Sequence, residues 1–588
     1  MSGSRSISAA EITGKNNKLP LDFRSWWQWL TTILAIATVL FVTNYLFSNQ
    51  FGLYEDDFIW ENTLRPMSYS FSEVFTILKA VGTSWLVFEG RPLYFWSDLL
   101  MAYMGGKAPS LAFGYFIGYL IFLINASLLF IVTRKILPYA GALFAILTYI
   151  TFTPDASKVI LMHRSIHLSM TWLLLSLLLY QHRYYVLAYL MATACLLTYE
   201  SFYFAFIAAP FLVPSFQKGL AKRIFVHFVL FFSIAGFMLF LRSAQGDTRT
   251  ALITGGFSAL LPRMIMACLI GPLTCVRSFF TAPFEGLANT TWTFCLLSAL
   301  TCLAVWSVFR ARLNTQREPL QEAKTTMLDR QYIWVLLGGL LALSFSYCLA
   351  FKPEYYPPTI TNGRLSGVHV GAAFGWSIAI GALVSILSVK LRRFRGIMWL
   401  LLFAYLGLAV NYGLTIQARD YVASWQQQKN FWRELISLSS NFGDGDIILV
   451  DERTAPFTPG FPMHSALVCD YNEALARFVR FPKLWKNPPR VYGIDAAQPT
   501  DAYDFDDPEG GLRLHEPFWG SLDDFPIIRN RNFFYLRYVN GELMPSSDPI
   551  TLYGRTFQPK AIDFTKCPAF SVKRLYRVIL GRGEDGGS

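Results

Sequence analysis

Three consecutive carboxylates stand in Tyr54-Glu55-Asp56-Asp57-Phe58-Ile59-Trp60. Adjacent carboxylates repel. Repulsion with partial burial raises the pKa of one of them and suits it to act as a general base. A solvated acidic cap where a helix leaves a membrane has the same pattern. Further along the same stretch comes Phe88-Glu89-Gly90-Arg91-Pro92-Leu93. A Gly-Arg-Pro turn opening a helix can aim its guanidinium at an anion or at the acidic triplet. It can equally cap the turn while the arginine snorkels at an interface.

Other ionisable residues recur at comparable positions. Asp155, Lys158, His163, Arg164 and His167 share one short stretch, and Thr198-Tyr199-Glu200-Ser201 puts Glu200 at the end of an apolar run. The segment Lys352-Pro-Glu-Tyr-Tyr-Pro-Pro-Thr-Ile-Thr-Asn-Gly-Arg364 has the prolines and aromatics of a mobile loop over a groove, with Arg364 as an anion contact. Taken singly, Lys158, His163 and Arg364 read as ordinary interfacial charges. Taken together, carboxylates facing cations suit a reaction in which an acceptor hydroxyl needs a base and a phosphate leaves.

The elements that must position these residues are membrane spans. The 588 residues are 53% hydrophobic and only 15% charged, against about 25% charged in ordinary soluble domains, and the mean hydropathy is +0.36. Soluble globular and disordered chains are excluded. A bilayer core takes about 20 apolar residues per helix, and eleven segments qualify: 26–47, 111–133, 136–153, 166–180, 185–200, 202–216, 224–242, 291–309, 332–351, 367–389 and 397–416. Segment 257–288 is apolar but interrupted by Arg263, Pro272, Arg277 and Pro283.

Lys and Arg gather on the cytoplasmic side of membrane proteins. Eleven spans put Lys15/Lys18/Arg24, Arg134/Lys135, Arg183, Lys218/Lys222/Arg223, Arg310/Arg312/Arg317 and Lys390/Arg392/Arg393/Arg395 on one side, provided 257–288 does not cross. That segment therefore reads as re-entrant or interfacial on the outside. The N-terminal tail 1–25 is then cytoplasmic, the first span is a retained anchor, and the large first loop, 48–110, is outside. The ionisable residues named above all fall on that outer side.

The membrane domain is expected over 26–416 and an extracytoplasmic α/β domain over 417–588. The last 172 residues carry 20 Lys+Arg against 22 Asp+Glu, while the first 416 carry 31 against 17. The high pI thus belongs to loops between spans, and a nucleic-acid partner is not indicated. Asp446-Ile-Ile-Leu-Val-Asp451 reads as a buried strand bounded by turn formers, and other segments, such as Phe533–Val539, alternate or are aromatic-rich. Cys469 and Cys567 either pair in an oxidising compartment or are two separate buried thiols.

The acidic pair after the first span, the Gly90-Arg91-Pro92 element and the Tyr199-Glu200 pair resemble bacterial GT-C glycosyltransferases, integral membrane enzymes that use polyprenyl-phosphate-linked sugars. The resemblance covers roughly residues 26–416 and implies a polytopic α-helical GT-C-like fold in a bacterial inner membrane, with the outer domain periplasmic. It implies that Asp56 or Asp57 deprotonates a hydroxyl of a glycan, lipid or protein acceptor, which attacks the anomeric carbon, usually with inversion. Glu55, Arg91, Lys158, His163, Arg164, Glu200 and Arg364 would line the substrate and phosphate site. Three neighbouring carboxylates permit a divalent cation, but no ligand set is evident and no obligatory metal is expected. An O-antigen-type polymerase or ligase, a lipid-linked glycan transporter and a non-catalytic assembly protein are the rival readings. The charge-poor spans and the absence of a repeat speak against transport.

Overall fold

A computed structural model describes residues 23–54, 57, 72–76, 79, 91–107, 111–214, 220–244, 257–315, 325–350, 356–451, 475, 478–494, 503–504, 510–514, 527–539, 542–552, 554–565 and 571–572. Apolar runs without internal polar partners form helices, because a helix satisfies its own backbone hydrogen bonds. They are α1 (Phe23–Asn44), α2 (Pro92–Lys107), α3 (Ala112–Arg134), α4 (Tyr139–Ile150), α5 (His163–Gln181), α6 (Tyr185–Thr198), α7 (Glu200–Ala205), α8 (Leu220–Ala244), α9 (Phe257–Glu285), α10 (Trp292–Thr315), α11 (Thr325–Phe345), α12 (Ala372–Lys390), α13 (Arg395–Ile416) and α14 (Ala423–Ser437).

Among the described residues, seven helices are long and apolar enough to cross a membrane. The eleven spans expected from hydropathy are thus not all full-length helices. The runs around 139–150, 185–198 and 331–345 form shorter apolar helices, and the run at 202–216 breaks into α7 and a 3-10 segment, Phe206–Phe211, containing Pro210.

One end of the bundle is marked by contacts between helix ends. The Asn44 amide donates to the Ile150 carbonyl, joining the ends of α1 and α4. Gln417 Nε2 donates to the Val42 carbonyl, adding the end of α13. This end is called the crown. At the opposite end Arg312 lies over the Tyr139 ring at 5.4 Å, Gln331 donates to the Ile136 and Pro214 carbonyls, and Lys135 meets His182. The basic residues Arg134, Lys135, Arg183, Arg312 and Lys390 sit at that end, which is called the root.

Glycine lets three helices meet backbone to backbone. A Cβ on Gly375 of α12 would lie 2.3 Å from the Leu343 nitrogen of α11, and one on Gly381 would lie 2.6 Å from the Gly141 carbonyl oxygen of α4. Such close approach replaces hydrophobic drive, which is weak between helices in lipid, with dispersion contact.

Segment 257–288, expected as a re-entrant or interfacial stretch, is one continuous helix, α9, with Pro262, Pro272 and Pro283 inside it. Most of its contacts fall on crown ends, and one reaches midway down α13, where Tyr405 donates to the Phe279 carbonyl. Arg263 lies 6.0 Å over the Tyr356 ring, a Cβ on Gly271 would strike the Tyr347 ring, Thr153 donates to the Ser278 carbonyl, and just past the helix Thr290 donates to Asn411.

The boundary expected at 416/417 falls inside a continuous rod. After α13 a π-helical turn, Gln417–Val422, leads directly into α14. The strand expected at Asp446–Asp451 forms as β1 (Ile447–Asp451), all five residues buried. It pairs in parallel with β2 (Arg490–Ile494) on one side and with β3 (Phe533–Val539) on the other, and β4 (Glu542–Ser546) adds antiparallel to β3. One sheet face, with Ile448, Val450, Phe534 and Leu536, belongs to the same apolar core as Phe431 and Trp432 of α14 and the bundle itself.

Candidate active site at the crown

The segment 151–162, between α4 and α5, is the hub of the crown. Asp57 reaches it from the first loop. Its carboxylate is fully buried and accepts from the backbone N–H of Met162 at 2.9 Å, Leu161 at 3.4 Å and Tyr54 at 3.2 Å. Leu161 and Met162 sit just before the N-terminus of α5, where backbone N–H groups lack helical partners. Asp57 therefore ties the end of α1 to the start of α5. Glu55 and Asp56 lie outside the described residues.

Arg91 stands at the start of α2 and makes a two-pronged ion pair with Glu200. Nε and Nη2 donate to the two carboxylate oxygens, each at 2.7 Å. The guanidinium also lies 4.6 Å over the Tyr199 ring. Burial disfavours the charged guanidinium, but the charge and hydrogen bonds of Glu200 outweigh it and hold the proton more firmly. The break between α6 and α7 creates this geometry: Tyr199 is extended (φ −155°, ψ 111°), which swings Glu200 out to begin the next helix.

Lys158 donates to the carbonyls of Ile150 and Phe152 at 3.2 and 3.0 Å, at and just past the end of α4. A cation there meets the negative pole of a helix. Burial pushes its ammonium down to about 8, and the Asp155 charge offsets part of this. Asp155 itself accepts from the Ser157 N–H and hydroxyl at 2.9 and 2.7 Å, and burial raises its pKa.

Arg164 donates to the Leu161 carbonyl at 2.7 Å and to the Gly114 carbonyl at 3.4 Å. It lies in a groove left by Gly114 and Gly118 of α3: a Cβ on Gly114 would sit 3.1 Å from Nη1. His163 is buried and abuts Gly367, where a Cβ would lie 3.3 Å from its ring. His167 donates to the Lys158 carbonyl. Arg364 opens the 3-10 turn Arg364–His369, and its side chain lies outside the described atoms, as do Gly90, Cys469 and Cys567.

The structure thus gathers Asp57, Arg91, Lys158, His163, Arg164 and Glu200 at one end of the bundle. It gives Lys158 and Arg164 backbone carbonyls as partners in place of the expected phosphate. Of the loop expected to be mobile, Ile360 accepts from His369 through its carbonyl, and just past the loop Ser366 accepts from the Ala156 N–H at 3.0 Å while His369 meets the Tyr347 hydroxyl.

Residues without charge complete the crown and escaped sequence reasoning. Tyr54 donates to the Tyr421 carbonyl at 2.8 Å, Tyr421 donates to the Ala156 carbonyl, and Tyr115 donates to the Gly52 carbonyl at 2.6 Å. The only available signal was the i, i+4 spacing of Gln417 and Tyr421 just past an apolar run. A cleft among Asn44, Thr153, Asp155, Lys158, Gln417 and Tyr421 encloses about 20 Å³, room for about one water and not for a sugar. Among the described residues, no three His, Cys, Asp or Glu side chains group to hold a metal ion.

No family profile, curated protein or solved structure matches the chain.

Proposed function

We propose that the protein is a membrane glycosyltransferase that moves a sugar from a polyprenyl-phosphate carrier to a glycan, lipid or protein acceptor. One observation carries this reading. The first loop, the α4–α5 hub, the α6–α7 break and the 356–371 segment meet at one end of an apolar bundle and bring acids and bases together there. The basic residues at the root support placing the crown outside the cytoplasm, in the periplasm of a bacterial inner membrane.

In the proposed reaction a carboxylate of the first loop takes the proton of the acceptor hydroxyl. The oxygen attacks the anomeric carbon, the bond from that carbon to the phosphate oxygen breaks, and polyprenyl phosphate leaves. Arg91 is suited to the charge that develops on the departing phosphate, because a guanidinium fork matches two oxygens at once. Of the two adjacent aspartates, Asp57 is held by three backbone N–H groups, so Asp56 is the base in this reading and Asp57 positions its loop. The polymerase or ligase reading draws on free arginine and histidine side chains, and Arg164 and His167 are bonded to backbone carbonyls.

The test is release of polyprenyl phosphate by purified protein in nanodiscs, supplied with a panel of polyprenyl-phosphate sugars and acceptors. Asp56→Asn should lower sugar-dependent release by about 10²–10⁴-fold with folding intact. Full release by Asp56→Asn would remove that residue from the mechanism. Wild-type turnover by Asp56→Asn and by Asp57→Asn alike would overturn the transferase site as drawn.

A further inference from the structure

Arg91 and Glu200 form a matched pair whose geometry is that of an anion site with an internal occupant. The fork of Arg91 is planar and bidentate, a shape that fits carboxylate and phosphate alike. Both prongs engage Glu200 at 2.7 Å, with the side chains 16% and 8% exposed. Tyr199 lies under the guanidinium and holds its plane. Glu200 is buried while Arg91 keeps part of its side chain exposed, so an incoming anion meets the pair from the arginine side.

The second observation lies on α2, which begins at the next residue. Its exposed positions among those described are Trp96, Leu100 and Met104. They are spaced by four and so form one stripe along a helix face. That stripe starts about one turn from Arg91. A cation at the head of an exposed apolar stripe matches an amphiphile with an anionic head and a single long tail.

We propose that Glu200 is a displaceable stand-in, and that a lipid phosphate takes its place on Arg91 while its chain lies along Trp96, Leu100 and Met104. The inference rests on the transferase reading only for the class of lipid. It assigns Glu200 the role of a competitor that keeps Arg91 preorganised and occupied until the lipid arrives, and not that of a substrate ligand.

The test is thermophoretic titration of the full-length protein in detergent with farnesyl phosphate, with farnesol and inorganic phosphate as controls. Glu200→Gln, which keeps the shape and removes the competing charge, should bind farnesyl phosphate at least about tenfold tighter than wild type, the equivalent of one hydrogen bond to a charged group. Glu200→Asp, which keeps the charge but shortens its reach, should move affinity the same way by less. Arg91→Gln should lose binding, and Trp96→Ala should weaken it. Unchanged or weaker binding by Glu200→Gln, with its thermal melt intact, would overturn the stand-in. Farnesol binding as tightly as farnesyl phosphate would overturn head recognition. Inorganic phosphate competing at equal affinity, with Trp96→Ala silent, would reduce the site to a free-phosphate site and overturn the lipid. The assay needs neither sugar nor acceptor, so a failure of sugar transfer leaves it standing.

Discussion

Asp56 and Asp57 are neighbours in sequence and unlike in consequence. Asp57 is buried with its oxygens on backbone N–H groups of the α5 entrance. Removing its charge leaves buried donors poorly matched, a loss of about 1–3 kcal/mol. Asp57→Asn should therefore lower the thermal midpoint of the protein in detergent, where Asp56→Asn should leave it unchanged. Lys158 makes a separate pH prediction. Its folded-state pKa, about 8, lies below the ordinary lysine value. Between those two values the unfolded chain holds more proton than the folded one, so stability rises with pH across that window. Lys158→Gln should flatten the rise seen in melts at stepped pH.

At the scale of elements, α11 and α12 depend on glycine. The Leu343 nitrogen stands where a Gly375 side chain would go, and backbone cannot swing aside as a side-chain tip can. Gly375→Val should cost about 1–3 kcal/mol or more of overpacking, read as a lower melting midpoint, while valine at Gly236, with nothing near its Cβ, should be neutral. The helix α9 is long enough to cross a bilayer by length and composition, yet both Arg263 near its start and Ser278 near its end meet crown segments. Cysteines placed at Arg263 and Asn289 in a cysteine-free background should both react with an impermeant maleimide from the same side of sealed vesicles. Labelling from opposite sides would make α9 a crossing helix.

For the whole molecule, the bundle and the C-terminal sheet share one apolar core through α13, its π-turn and α14. The C-terminal region should therefore melt together with the bundle rather than as a second transition. The separation of crown from root gives the orientation its own test. A cysteine at Leu484, highly exposed beside the sheet, should label from the periplasmic side, and one at Phe394, exposed at the root, only from the cytoplasmic side. Reversal of both would turn the crown toward the cytoplasm.

Composition and charge placement alone determined a polytopic helical membrane protein, a less basic C-terminal region with buried strands, and a band of ionisable residues at comparable positions along the chain. These follow from local rules: apolar length, turn chemistry and the siting of Lys and Arg. Partner choice does not. That Arg91 meets Glu200 across 109 positions, that Lys158 closes the end of α4, that Asp57 stitches two helices, and that α13 runs unbroken toward the C-terminal sheet were decided by tertiary structure. A charged side chain finds its partner through how helix ends pack, and its sequence neighbours carry no record of that.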